Sequence, residues 1–249
     1  MPPENNSPVL EHDIAWSDSK VSRLWNYYSR TPPYSDVYFS KLHGRELLRR
    51  SRLPLHDPLR VLDFGCGPGF IWDHLRQLGA GWTYFGADFS PESVAQLAGR
   101  ARGSPEFEGA LHLQSLPSEL ASVSFDAVLL LEVVEHLDDQ HLDQTLREAA
   151  RVLKSGGVLV VSTPNDENIA ASKLFCPECG AIFHQWQHVR SWTVTRLADR
   201  LRGHGLVLRH AQTGDFSATT VMQRVLRMAR MARHRRRMAP HMLAVFQKA

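Results

Sequence analysis

Glu132, Glu135 and His136 stand at positions i, i+3 and i+4, just after the apolar run Phe125 to Leu131. On the first turn of a helix these positions share one face. Two carboxylates and an imidazole converging there can bind Mg2+, Mn2+ or a similar divalent ion. A further ligand must come from elsewhere, and the run Phe183 to Thr193 offers His184 and His188. The same three residues also fit plain helix-start chemistry, because acids favour a helix N-terminus. A second constellation competes for the histidines. Cys176 to Gly180 spells C-P-x-C-G, and with His184 and His188 the spacing becomes C-x2-C-x4-H-x3-H. Four nitrogen and sulfur donors at short spacing favour a structural Zn2+ that would staple the loop 172–192. The competing reading leaves Cys176 and Cys179 as a reduced pair in a tight turn.

These groups need elements that bring them to one place. Val61 to Gly69 reads VLDFGCGPG, a buried strand that ends in glycines at alternating positions. Such a strand delivers the chain to a turn whose backbone approaches a ligand closely. The helix expected from about Phe70 to Leu78 aims its free N–H groups at the same spot. The spacing G-x-G-x-G is neither a phosphate-binding G-x-x-x-x-G-K-[ST] loop nor the dinucleotide G-x-G-x-x-G. Asp88 ends the next strand, about 20 residues beyond the glycines, where a carboxylate accepts hydrogen bonds from ribose hydroxyls. Phe125 to Leu137 and Leu153 to Asn165 supply two more buried strands. A nucleotide-like ligand at the carboxyl edge of a parallel sheet is expected.

In order and spacing, these four motifs resemble the class I S-adenosylmethionine (SAM) methyltransferases over roughly Leu59 to Ala211. The resemblance implies an α/β, Rossmann-like sheet of seven mostly parallel strands in the order 3-2-1-4-5-7-6, with the seventh antiparallel. It implies that Asp63, Gly65 and Gly67 hold the methionine part of SAM and Asp88 the ribose, with Phe89 and Leu116 beside the adenine. The run from Glu132 to His136 is similar to that of two metal-dependent branches, the small-RNA 2′-O-methyltransferases and the ubiquinone-pathway catechol O-methyltransferases. Carried over by position, the metal ligands would be Glu132, Glu135, His136 and His188, with Glu132, His136 and His188 as the catalytic set. The chain departs from the RNA branch in its distal run, where Arg190 stands in place of an acid. O-methylation of a small molecule, sugar or lipid-linked glycan is therefore expected. The competing readings are an RNA 2′-O-methyltransferase, a metal-free small-molecule methyltransferase, and a non-catalytic protein that binds SAM or a metal.

The rest of the chain bounds these expectations. A chain of 249 residues, 43% hydrophobic and 22% charged, is ordinary for one α/β domain with an embellishment. Met1 to Asp13 shows neither a basic nor an apolar leader region, so no signal peptide is expected. Three cysteines suit a reducing, cytoplasmic setting. Residues 1–58 divide into an arm, disordered to about residue 15, and two helices, Ser17 to Ser29 and Ser35 to Arg50. These are rich in aromatics and can form a lid over the domain 59–249. The segment 218–238 reads as a basic amphipathic helix before the last strand, Met242 to Gln247. Residues 224–237 hold seven arginines and no acid, so without them the formal charge of +3 becomes −4. Residues 221–237 can rest on an anionic membrane surface or grip a phosphorylated acceptor. Nucleic acid is the less favoured partner, because no RNA-binding motif is visible.

Overall fold

The computed structural model describes residues 10–216 and 241–249. The expected basic helix at 218–238, with its membrane or phosphate contact, lies outside the described residues. A two-residue strand β1 (His12–Asp13) precedes the helices α1 (Asp18–Arg30) and α2 (Phe39–Arg50). Strands and helices then alternate through β2 (Arg60–Phe64), α3 (Phe70–Leu78), β3 (Thr83–Asp88), α4 (Pro91–Ala101) and β4 (Phe107–His112). After β5 (Phe125–Leu131) come α5 (Asp139–Val152) and β6 (Leu153–Pro164). A hairpin of β7 (Lys173–Phe175) and β8 (Ala181–His184) leads to α6 (Val194–Arg202), β9 (Leu206–Gly214) and β10 (His241–Lys248).

Seven strands form one sheet in the order β4-β3-β2-β5-β6-β10-β9. Numbered by chain position within the sheet, this is 3-2-1-4-5-7-6, and β10 runs antiparallel to both neighbours. The α/β, Rossmann-like architecture expected from the resemblance is thus present. Alternation along each strand builds a core on both faces. Leu62, Phe64, Val128 and Leu130 pack with Leu142 and Leu146 of α5 and Leu197 of α6. Val61, Tyr84, Ala127 and Leu129 face the other way, onto Leu47 of α2, Trp72 of α3 and Leu97 of α4. Side chains cap the helices that enter from the sheet edge. Ser90 accepts from the Ser93 N–H at 3.1 Å, and Asp138 accepts from the His141 N–H at 2.8 Å.

Three local expectations need correction. The apolar residues Leu111 and Leu113 predict a third strand over 111–113, but that strand spans Phe107–His112. Gly109 interrupts its apolar pattern and hides the strand from a reading by alternation. The arm is not structureless up to residue 15, because β1 pairs in parallel with β8, His12 against Ala181. β1, β8 and β7 make a small second sheet beside the site. Glu132 to His136 do not start a helix either. They form a turn, and α5 begins only at Asp139. Glu132 adopts φ 58°, which breaks the strand but does not lead into a right-handed helix. No helix among the described residues is long and apolar enough to cross a membrane.

Leu129 is fully buried at the centre of the sheet. Leu129→Ala is expected to lower unfolding free energy by about 2–5 kcal/mol in urea titrations. A loss under about 1 kcal/mol would contradict the packing described.

Candidate active site at the carboxyl edge of the sheet

Parallel pairing of β2 with β3, Phe64 against Ala87, brings the glycine turn and Asp88 together. The N–H groups of Gly65 and Cys66 both donate to the Ala87 carbonyl, at 2.7 and 3.1 Å. The next free donor, Gly67 N–H, reaches Asp88 Oδ2 at 2.9 Å, while Asp88 Oδ1 accepts from Ser90 N–H at 2.8 Å. Gly65 has φ +86°, and a Cβ there would lie 2.6 Å from Val133 Cγ2. Gly67 has φ +50°, and a Cβ there would meet nothing within 4 Å. Gly65 is glycine for packing, whereas Gly67 presents bare backbone to open space at the mouth of the turn. Asp63 lies below, buried, with its carboxylate accepting from the Tyr84 hydroxyl at 2.6 Å. Burial pushes the Asp63 carboxyl up to about 7; the Tyr84 hydrogen bond opposes the rise and the Asp88 charge adds to it. Phe89 is exposed at the strand end, and Leu116 packs against the core beneath β4.

The acidic and imidazole groups gather at the ends of β5 and β6. Val189 N–H donates to the Glu135 carbonyl at 2.9 Å, and Gln187 Nε2 donates to the His136 carbonyl at 2.9 Å. These bonds lay the segment 184–190 along the turn 132–138. As a result Glu135, His136 and His188 place ligand atoms within 4.8 Å of one another, and so do Glu167, His184 and His188. Glu132 belongs to neither group. Its Oε1 accepts from the Ser162 hydroxyl at 2.8 Å, and its Oε2 lies 3.2 Å from His241 Nε2.

Three buried side-chain atoms in this cluster lack a hydrogen-bond partner: Glu135 Oε1, His136 Nδ1 and His184 Nε2. Burial and then the Glu132 charge push the Glu135 carboxyl well above its ordinary range. Burial and the neighbouring His188 push His136 down to about 3, so its imidazole is neutral with a lone pair available. Against the cost of burial, His184, whose Nε2 lies 3.5 Å from Glu167 Oε1, and the His188 hydrogen bond hold Glu167 down at about 2. An ionised Glu167 at 2.6 Å requires the proton of His188 on Nδ1, which leaves Nε2 as an acceptor. His184 Nδ1 accepts from the N–H groups of Trp186 and His188, at 3.3 and 3.2 Å, so His184 carries its proton on Nε2. Glu167 escaped the sequence reading because a single acid in a loop has no periodicity to mark it.

Helix α1 covers this cluster. Trp25 packs edge-on against His136 at 5.0 Å and donates from Nε1 to Gln187 at 3.1 Å. Tyr28 donates to the Gln185 carbonyl at 2.6 Å. Tyr38 packs on Trp25 and on Phe70 at the start of α3, and burial beside Asp88 pushes its hydroxyl up to about 12. Trp25 and Tyr38 therefore span the distance between the glycine turn and the acid–imidazole cluster.

Cys176, Cys179, His184 and His188 do not converge. The cysteines sit in the turn between β7 and β8, where Gly180 N–H donates to the Cys176 carbonyl at 2.9 Å. His184 lies at the far end of β8, three residues from Ala181, or about 10 Å along an extended strand. The strand's length separates the two pairs.

Residues 62–161 match the methyltransferase domain family. A ubiquinone biosynthesis O-methyltransferase of Cereibacter sphaeroides is 30% identical over 172 residues, covering 65% of this chain and 67% of that protein. One from Azorhizobium caulinodans is 36% identical over 170 residues, 64% of each chain. Among solved structures, the complex between the Haloferax volcanii Trm112 methyltransferase activator and the putative methyltransferase matches with a TM-score of 0.65. It does so at 21% identity, over 91% of this chain and 97% of that one. The Burkholderia thailandensis 1,6-didemethyltoxoflavin-N1-methyltransferase, solved with S-adenosylhomocysteine, also gives 0.65, at 14% identity over 97% and 94% of the two chains. Both structural likenesses are likenesses of fold.

The Asp63 carboxyl holds its proton to about pH 7 when folded but only to about pH 4 when unfolded. The folded state therefore binds the extra proton in that window, and this group's contribution to stability falls as pH rises through it. Asp63→Asn keeps an acceptor for Tyr84 and removes the titration. Relative to wild type, the variant is expected to gain at least about 1 kcal/mol between pH 5 and pH 8 in urea titrations. Parallel pH profiles for the two proteins would contradict the buried, protonated carboxyl.

Proposed function

The chain belongs to the class I SAM-dependent methyltransferase family, and on that premise we propose that it methylates a hydroxyl oxygen of a small molecule carrying two adjacent oxygens, with a divalent cation assisting. The relatives' shared name, ubiquinone biosynthesis O-methyltransferase, supports oxygen as the accepting atom. The observation that carries the cation is the pair of partnerless buried atoms on Glu135 and His136, beside His188 at the carboxyl edge of the sheet. Nitrogen and carboxylate donors of this kind suit a divalent ion.

SAM, when bound, supplies a methyl group on a sulfonium sulfur, so that an O–CH3 bond forms as the S–CH3 bond breaks. Gly67 and Asp88 would offer the amino-acid and ribose ends an open backbone and a carboxylate, and Phe89 and Leu116 would flank the adenine. Asp63 supports the turn from below through Tyr84. A divalent ion at the cluster would lower the pKa of the acceptor hydroxyl and hold it in line with the methyl group. Glu135, His136 and His188 would hold that ion. Glu167 accepts a hydrogen bond from His188 Nδ1–H and so leaves the Nε2 lone pair free, the arrangement in which a carboxylate orients a ligating imidazole. His184 carries its proton on Nε2 and acts as a positioning residue for Glu167. Glu132 is left out of the ligand set, since Ser162 and His241 take its two oxygens. Trp25 and Tyr38 lie between turn and cluster, and aromatic rings there favour a planar acceptor over a sugar.

Asp88→Ala is expected to weaken SAM binding by about 10- to 100-fold in calorimetry, the loss of one or two charge-assisted hydrogen bonds. Unchanged affinity would remove Asp88 from the cofactor site. Exhaustive chelation should abolish S-adenosylhomocysteine release on a panel of ortho-diphenols, and Mg2+ or Mn2+ should restore it. His136→Ala should cut turnover by about 100-fold or more while leaving SAM affinity within about twofold. Full activity after chelation would eliminate the metal-assisted reading and leave a metal-free methyltransferase.

A further inference from the structure

The Cys176–Cys179 turn takes no part in the chemistry proposed above. The two thiols are free and three residues apart, at the tip of the β7–β8 hairpin. Backbone N–H groups of Glu178 and Cys179 face the Cys176 sulfur, and Gly180 allows the turn with φ +77°. This geometry stabilises a thiolate.

The histidine nearest this turn in the sheet is His12. β1 lies along β8 with His12 paired to Ala181, and His12 N–H donates to the Gly180 carbonyl at 3.0 Å. On the other side of β8, Cys176 N–H donates to the Ala181 carbonyl at 2.9 Å. Residues paired across neighbouring strands share a face, so His12 and Cys176 flank Ala181 on one face of the small sheet. Ala181 between them carries only a methyl group and is buried. His12 Nδ1 lies 3.2 Å from the Leu10 carbonyl. A carbonyl can only accept, so Nδ1 carries the proton and Nε2 the lone pair. Two strand spacings put His12 and Cys176 about 10 Å apart at Cα. Metal–sulfur and metal–nitrogen bonds totalling about 4.4 Å, added to the two side chains, cover that distance.

We propose that Cys176, Cys179 and His12 form a binding site for a thiophilic divalent cation, Zn2+ in kind, that clamps the N-terminal strand to the β7–β8 hairpin. Each thiol gives its proton to water on binding, and the fourth tetrahedral position is left to solvent. The site is separate from the acid–imidazole cluster and does not depend on how methyl transfer occurs. It would lock β1 in place at the edge of the small sheet that also carries His184.

Co2+ added to the reduced, metal-stripped full chain reports the site directly, because only a thiolate ligand gives the sulfur-to-cobalt charge-transfer band in the near ultraviolet. The band is expected at one equivalent, and Cys176→Ser with Cys179→Ser should abolish it. His12→Ala should weaken Co2+ affinity by about 10-fold or more and shift the visible bands. His184→Ala should leave the charge-transfer band unchanged. Absence of the band would overturn the site. So would a band indifferent to His12→Ala, or one lost in His184→Ala, the latter returning the cysteines to a shared site with the distal histidines. Far-ultraviolet circular dichroism of each variant separates loss of ligand from loss of fold.

Discussion

The parallel pairing of β2 with β3 is the constraint on which the rest of the site depends. It is a backbone register, Phe64 against Ala87, enforced by side chains that must face opposite cores. Slipping it by one residue would turn Leu62 and Phe64 away from α5 and α6. With the register set, Ala87 has one carbonyl for two glycine-turn donors, and Asp88 receives the third. The turn is therefore organised by the neighbouring strand, not by its own side chains. The same edge receives β5 and β6, so the groups at their ends meet beside the turn.

The acid–imidazole cluster shows how the fold tolerates a costly arrangement. A buried polar atom without a partner costs about 1–3 kcal/mol, and this site holds three. Glu135 is pushed up, while His136 and Glu167 are pushed down. The protein answers by neutralising Glu135 and His136 and by keeping the charge on Glu167, where two imidazoles stabilise it. A continuous sheet with fully buried strands on both faces supplies the stability that such a site consumes. In the proposed function a cation would engage Glu135 and His136, which carry two of these atoms, so ligand binding and local order would be coupled.

The cofactor side was the more legible half. The helix expected from Phe70 to Leu78 is α3 with those bounds, and the strand order is the one the family resemblance implies. The acceptor side was read less well. Glu132 to His136 carry the acids of a helix start, but the helix begins at Asp139 behind a cap at Asp138. Three acids in seven residues compete for the capping role, and the winner is the one whose backbone can be extended there. The arm before Ala15 looked structureless because β1 takes its order from pairing with β8, about 170 residues away. Glu167 and Gln187 gave no signal, because both act through long-range contacts.

The sequence by itself determined the alternation of strands and helices, the glycine turn and the acid at the end of β3, because each rests on local spacing and on alternation between two buried faces. Only the tertiary structure decided which acids and histidines meet. Strand length keeps Cys176 and Cys179 away from His184, backbone bonds lay His188 beside His136, and Ser162 and His241 draw Glu132 aside. Those outcomes turn on loops closing over distances along the chain that no local pattern encodes.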